Sequence, residues 1–366
     1  MKILHRYITG GLVVGFMFAL GTFSFVLLTG NAMRLVRLLA AGMSLADFFV
    51  AVLLLFPYVL VFAIPMALLT ANLLVFARMS AEREITAMRA SGISLYQVIS
   101  PAILFAVVLS LLCCYLNTEL APRSRYQLRL HQARVLQKDP LAILAEGTAT
   151  DLDRFVISVQ RREGTRLMMV SIAERLPDGR WKQLTRAREG RLEIDPQTQT
   201  AKLTLTGVIT EVYIGDSDRE AHTPRVIPGQ EVVQEFDLAS LFAQREAKKR
   251  LSDLTLFELV DEVHAPGRKP SQVMSALVET HKRMAFSLAG FAFVLLSIPV
   301  GIRASRRETA VGIALSLVLV FAYYLFIILA ESMADNPAAH PIALVWTPNF
   351  LFEGLGLYLL HRTVQG

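Results

Sequence analysis

Arg34 and Arg37 stand three residues apart at the end of an apolar run, so in a helix they share one face. A guanidinium is a planar fork that fits phosphate oxygens, which makes the pair suited to a phosphate-bearing anion. The plainer reading is that both are anchors snorkelling to a headgroup layer. His281, Lys282 and Arg283 form a second basic cluster at the start of a later apolar run, and the same two readings apply. A third place of interest is the polar stretch from Arg78 to Ser94. There Ala81 to Ser91 is compatible with a helix, Ile85 and Met88 share one face beside Glu84, and Gly92 is placed to cap its end. Such an amphipathic surface helix docks into a groove on another protein, or is an ordinary interfacial loop.

The groups that catalysis requires are missing from the pattern. There is no Walker A sequence, no His-Glu-x-x-His helix, no Cys-x-x-Cys pair and no Gly-x-Ser-x-Gly elbow, and the seven histidines are scattered. The expectation is a chain that is not an enzyme, with no catalytic residue, no metal and no cofactor of its own. Glu331 and Glu353 are placed near span ends, which leaves the span cores without carboxylates for proton-coupled transport. Energy for any transport must then come from a partner, and an ATPase docked on the Arg78–Ser94 loop is the simplest supply.

The elements that position these residues are mostly hydrophobic. Of 366 residues, 54% are hydrophobic and 19% charged, with a mean hydropathy of +0.46, a composition typical of membrane proteins. Crossing a hydrocarbon layer of roughly 30 Å takes about 20 helical residues. Six apolar runs are long enough: Ile8 to Leu28, Phe48 to Ala77, Val98 to Leu116, Met284 to Ile302, Ala310 to Leu329 and Pro341 to Leu360. Pro57 and Pro65 in the second invite kinks. The first exceeds the length of a signal-peptide core, so it is expected to be a retained anchor despite the tolerable cleavage site Gly30-Asn31-Ala32. Cys113 and Cys114 are adjacent and cannot build a disulfide framework.

Short-loop charge sets the expected orientation. With the N-terminus in the cytoplasm, that side carries Lys2, Arg6, Arg78, Arg83, Arg89, Arg303, Arg306, Arg307 and Arg362, against Arg34 and Arg37 on the other. Both termini are therefore expected inside, and the long insertion outside. The net charge of +6 fits anionic headgroups, and no nucleic-acid partner is implied.

Three regions follow: residues 1–117 with three spans and a cytoplasmic coupling loop at 78–96, an insertion at 118–280, and three further spans at 281–366. Within the insertion, Arg123 to Leu144 is expected to be helical, with an exposed basic face of Arg123, Arg125, Arg129 and Arg134. Period-two runs follow at Phe155 to Val159, Leu167 to Ala173, Trp181 to Thr185, Arg191 to Ile194, Ala201 to Leu205 and Ile209 to Ile214. Turn signals at Pro177-Asp178-Gly179, Asp195-Pro196-Gln197 and Gly215-Asp216 separate them, which predicts a small antiparallel β-sandwich or barrel. Leu238 to Val263 returns to helical spacing, and Ala265-Pro266-Gly267 forms a linker.

The segment Glu84-Ile-Thr-Ala-Met-Arg-Ala-Ser-Gly92 resembles the Ser-Glu-(Met/Ile)-Thr-Val-Met-x-Ala-x-Gly signature of the LptF/LptG (YjgP/YjgQ) permeases of lipopolysaccharide export. The three-spans, outer β domain, three-spans layout is similar too, as are His281-Lys282-Arg283 and the Ile298-Pro299-Val300-Gly301 exit from the fourth span. Arg83 departs from the family's usual serine. The resemblance implies a membrane α-helical fold of six transmembrane helices with an inserted periplasmic β-jellyroll-like domain, in the bacterial inner (cytoplasmic) membrane. It also implies a permease subunit of the ABC transporter that extracts lipopolysaccharide and passes it to the periplasmic bridge. The partners would be an LptB-like ATPase dimer that holds ATP and Mg, a paralogous LptG-like (or LptF-like) permease, and LptC and LptA. Carried onto this sequence, Glu84, Ile85, Met88 and Gly92 would couple to the ATPase, and Arg34, Arg37, Lys282 and Arg283 would meet lipopolysaccharide. Met33 to Leu39, Glu84-Ile85-Thr86 and Asp139 to Gly147 look closer to LptF than to LptG. A lipoprotein-releasing or mechanotransmission-type permease is the alternative, which the six-span layout disfavours.

Overall fold

The computed structural model describes residues 2–40, 44–138, 147–152, 155–163, 166–176, 181–195, 200–212, 225–237, 249–303, 309–334 and 340–365. Nine α-helices and six strands occur among the described residues. Helix α1 (Lys2–Ala40) and α2 (Leu45–Ala81) precede a short α3 (Glu84–Ala90) and α4 (Leu95–Tyr115). A π-helical turn (Leu116–Leu120) joins α4 to α5 (Ala121–Lys138). After the strands come α6 (Leu256–His264), α7 (Pro270–Arg303), α8 (Thr309–Ser332) and α9 (Pro341–Gln365). Six helices are long and apolar enough to cross a membrane, in agreement with the six runs seen in the sequence.

The chain divides into two compact units. One comprises Met1–Ala32, Val52–Gln127 and Lys249–Gly366, the other Met33–Ala51 and Leu128–Lys248. In the first, α7 is the central helix, packed along α9 and α4, and most of it from Ala285 to Gly301 is buried. Small residues permit this, as helices packed in lipid generally need. A Cβ at Gly356 would lie 2.7 Å from the carbonyl carbon of Leu295, and one at Gly301 would lie 3.1 Å from the Leu73 carbonyl oxygen. A polar knot pins the same helices: Tyr323 Oη donates to Asn349 Oδ1 at 3.0 Å, and Asn349 Nδ2 donates to the Ala285 carbonyl at 2.8 Å. Pro57 and Pro65 both lie inside α2, which continues past them.

Glu353 is placed differently from the sequence expectation. It is half-buried in the middle of α9, because that helix continues beyond Leu360 to Gln365. The helix of the third span likewise outlasts its apolar run, since Thr118 Oγ1 donates to the Cys114 carbonyl at 2.7 Å and the π turn carries the chain into α5.

In the second unit, six antiparallel strands form one sheet in sequential order. They are β1 (Thr148–Leu152), β2 (Phe155–Glu163), β3 (Arg166–Arg175), β4 (Trp181–Asp195), β5 (Thr200–Val212) and β6 (Arg225–Asp237). The inserted all-β domain is therefore present, with longer strands than the sequence runs predicted. Trp181 to Thr185 and Arg191 to Ile194 are one strand, as are Ala201 to Leu205 and the run from Ile209, while β1 and β6 had no predicted counterpart. The three predicted turns fall wholly or mostly outside the described residues, as do residues 139–144 and 238–248 of the predicted helices.

One face of the sheet is buried, and its alternation slips once in each of three neighbouring strands. Leu167 is buried, then Val170 and Ile172; Thr185 and Ala187, then Gly190; Leu203 and Leu205, then Val208. The slips share a transverse row, Met169 beside Arg188 beside Gly207, where Met169 has φ 55° and Gly207 φ 66°. A left-handed residue turns the strand by one position, so apolar side chains on both sides of the row reach the same face.

Candidate functional site

Two places in the first unit gather the residues of interest, at opposite ends of the helical bundle. At the α3 end, α2 stops at Ala81, and Arg83 (φ 60°) turns the chain into α3. Ile85 is buried in the helical core and Met88 packs against it, so the face they share is turned into the bundle. The exposed face of α3 carries Thr86, Ala87, Arg89 and Ala90. Gly92 (φ 80°) ends the helix in a left-handed turn: the Gly92 N–H donates to the Arg89 carbonyl and the Ile93 N–H to the Met88 carbonyl, both at 3.0 Å. Ser94 and Gln97 then form a capping box that starts α4.

Polar contacts tie α3 to α1 and α9 and, through Tyr7, to α2. Tyr7 Oη on α1 donates to Glu84 Oε1 at 2.9 Å and accepts from Arg78 Nη2 of α2 at 3.3 Å. Glu84 Oε2 is buried with no hydrogen-bond partner among the described residues. Arg89 Nη2 donates to the Val364 carbonyl at 3.2 Å, a cation meeting the C-terminal end of α9. Tyr7 and Val364 lie far from α3 in the chain, and helical spacing carries no sign of either contact.

At the other end lies a cavity of about 580 Å³. Leu27 and Asn31 of α1, Tyr58 and Phe62 of α2, Phe286 of α7 and Tyr324 of α8 line it, with charged groups from α5, α7 and α8 among them. Arg283 is 3% exposed, and its donors are engaged: Nε with Glu279 Oε1 at 2.9 Å, Nη2 with the Leu251 carbonyl at 3.0 Å and Nη1 with the Leu254 carbonyl. This side chain therefore fastens the 3₁₀ turn Leu251–Asp253 and the start of α6 to α7. Lys282 pairs with Glu331 at 2.6 Å and with Glu279. His281 Nδ1 accepts from the Trp346 indole N–H at 3.3 Å.

Arg125 differs from both: its guanidinium carbon lies 3.7 Å from the Tyr58 ring centre, and it has no carboxylate partner among the described residues. An arginine over an aromatic face keeps its charge and its outward donors, so it is the cation of this cavity that remains open to an anion. In the sequence Arg125 was visible as one of a basic face with Arg123, Arg129 and Arg134, without sign of the cavity. Arg34 and Arg37 belong to α1, and their side chains lie outside the described residues.

Arrangement and motif agree with a comparison against known families. Residues 6–362 match the family model of the lipopolysaccharide export system permease LptF/LptG. The chain belongs to the LptF/LptG family. As in the sequence resemblance, one family covers all six spans and the inserted sheet, and the chain is a multi-pass membrane protein. A relative in Rickettsia prowazekii, the uncharacterized protein RP871, is 28% identical over 97 residues, a stretch covering 26% of this chain and 27% of that protein. The match thus spans about a quarter of the length of that relative. The segment on which the sequence resemblance rested, Glu84 to Gly92, forms α3 and the turn that ends it.

Proposed function

We propose that this chain is a permease subunit of the ABC transporter that extracts lipopolysaccharide from the bacterial inner membrane and passes it to the periplasmic bridge. The observation that carries the reading is the family match from residue 6 to residue 362. On this reading both termini and α3 face the cytoplasm, and the sheet faces the periplasm, as the short-loop charge favours. A separate LptB-like ATPase dimer holds ATP and Mg and docks on the exposed face of α3, with Ile85 and Met88 as the side chains that seat that helix in the bundle and Gly92 as its stop. A paralogous permease completes the membrane unit, this chain being the LptF-like half, and LptC and LptA receive the lipid.

The cavity supports the lipid assignment chemically. Its walls are apolar and aromatic and its charged edge carries Arg125, Lys282 and Arg283 against Glu279 and Glu331, an excess of one cation, which suits acyl chains joined to phosphorylated sugars. Arg125 offers donors directly, and Lys282 offers them when its pairing with Glu331 opens. Arg283 supports the site by holding residues 251–254. The test is purification of the chain from its own host membranes with its partners. The expected result is stoichiometric retention of an ATPase whose hydrolysis responds to lipopolysaccharide; transport activity without any nucleotide-hydrolysing companion overturns the reading.

A further inference from the structure

We propose that Tyr7 is a positioning residue through which movement of α3 is passed along α1 to the cavity at the far end of the bundle. The proposal rests on the permease reading above and concerns how its two ends communicate. The Tyr7 hydroxyl has one proton and gives it to Glu84 on α3, while its oxygen accepts from Arg78 on α2. Tyr7 thus sits between two holders. With the Glu84 bond made, the start of α1 follows α3; with it broken, Arg78 keeps Tyr7 on α2. A hydroxyl shared between two elements is a two-state contact of the kind that energetic coupling requires.

Helix α1 is built to pass such a change on. It is continuous through Asn31 and attached by a narrow stripe, Ile8, Leu12, Phe16 and Ala19, while Val14, Phe18 and Phe25 on its other sides are exposed. At Gly11 and Gly15 even an added Cβ would only reach ordinary van der Waals distance from Val75 and Ala71 of α2, so this face is not locked and α1 can slide and tilt along it without breaking hydrogen bonds. Twenty residues beyond Tyr7, about 30 Å at helical rise, Leu27 lines the cavity, and Asn31 follows one turn later. On its other side α3 is held by Arg89 to the Val364 carbonyl, so a push on α3 turns it about that point and acts at Glu84.

The experiment compares wild type, Tyr7→Phe and the control Tyr96→Phe, a half-exposed tyrosine of α4. Each is assembled with its paralogue and ATPase in phosphatidylethanolamine–phosphatidylglycerol vesicles containing lipopolysaccharide. ATP hydrolysis and lipid extraction are measured together. The expected result for Tyr7→Phe is retained ATPase, hydrolysis within about twofold of wild type, and at least about fivefold less lipid extracted per ATP, the lower range of allosteric coupling. The control keeps the wild-type ratio. An unchanged ratio in Tyr7→Phe overturns the proposal, and so does loss of the ATPase from that variant, which assigns Tyr7 to docking instead. Wild-type chain that retains no ATPase fails the permease reading itself, a result distinct from either.

Discussion

Gly356 of α9 faces the backbone of Leu295 in α7 with no room for a side chain, since an added Cβ would come within 2.8 Å of the Leu295 carbonyl group. The contact sets how closely the last span approaches the central helix. Gly356→Ala is expected to force the helices apart and destabilise the protein by about 1–3 kcal/mol, the usual cost of overpacking. Gly354→Ala, with open space around it, is expected to be neutral or slightly stabilising, because alanine favours helix. Thermal unfolding in detergent, followed for both variants, checks the contrast.

Arg283 is buried among carbonyls and one carboxylate, so its removal leaves two backbone oxygens without their donor and Glu279 with Lys282 alone. Arg283→Ala is expected to cost about 3–5 kcal/mol, as for a buried ion pair broken on one side. Arg283→Lys cannot replace three separated donors with one ammonium. Hydrogen exchange over residues 249–264 is expected to rise in both variants, with the turn Leu251–Asp253 and α6 affected first.

Arg125 and Lys282 make opposite predictions about the lipid. Arg125→Ala removes the cation that has no carboxylate partner among the described residues and is expected to weaken lipopolysaccharide binding about tenfold, the effect of losing one hydrogen bond to a charged group. Glu331→Gln takes one of the two carboxylates from Lys282 and is expected to tighten binding. Titration of lipid-stimulated ATP hydrolysis measures both, and equal midpoints across wild type and the two variants would return these residues to a structural role.

A pH dependence is expected at α6. The Glu258 carboxyl lies below its ordinary pKa because Lys249 donates to it, and the Thr255 N–H adds a second hydrogen bond. A lowered folded-state pKa gives stabilisation that is complete above the unfolded carboxylate value of about 4.3 and is lost as pH falls through the folded value. Amide protection across Leu256–His264 is therefore expected to fall as the solution is acidified below about pH 4. Glu258→Gln should flatten that response.

The six spans and the α3 segment were legible because twenty apolar residues in a row, or Ile85 and Met88 beside Glu84 before Gly92, are local patterns. What α3 faces was not. The same periodicity describes a helix that docks outward and one seated inward, and only packing turns Ile85 into the bundle. Arg283 looked like a ligand-facing cation because its carbonyl partners, Leu251 and Leu254, carry no side-chain signature. The long strands β4 and β5 were divided in two because their alternation slips at Arg188 and Gly207, which a strict period of two reads as a break. Arg125 was seen as surface charge since Tyr58, the ring it covers, belongs to a distant helix.

The row through Met169, Arg188 and Gly207 also limits what the sheet can become. Strands that alternate strictly can slide by two residues and bury the same face again, an error that leaves no apolar surface to betray it. Here any such slide carries one strand's kink out of line with its neighbours', and part of each strand then turns its oily side chains to water. The bend is an index mark that admits a single alignment, so a long sheet inserted between distant spans has one way to zip.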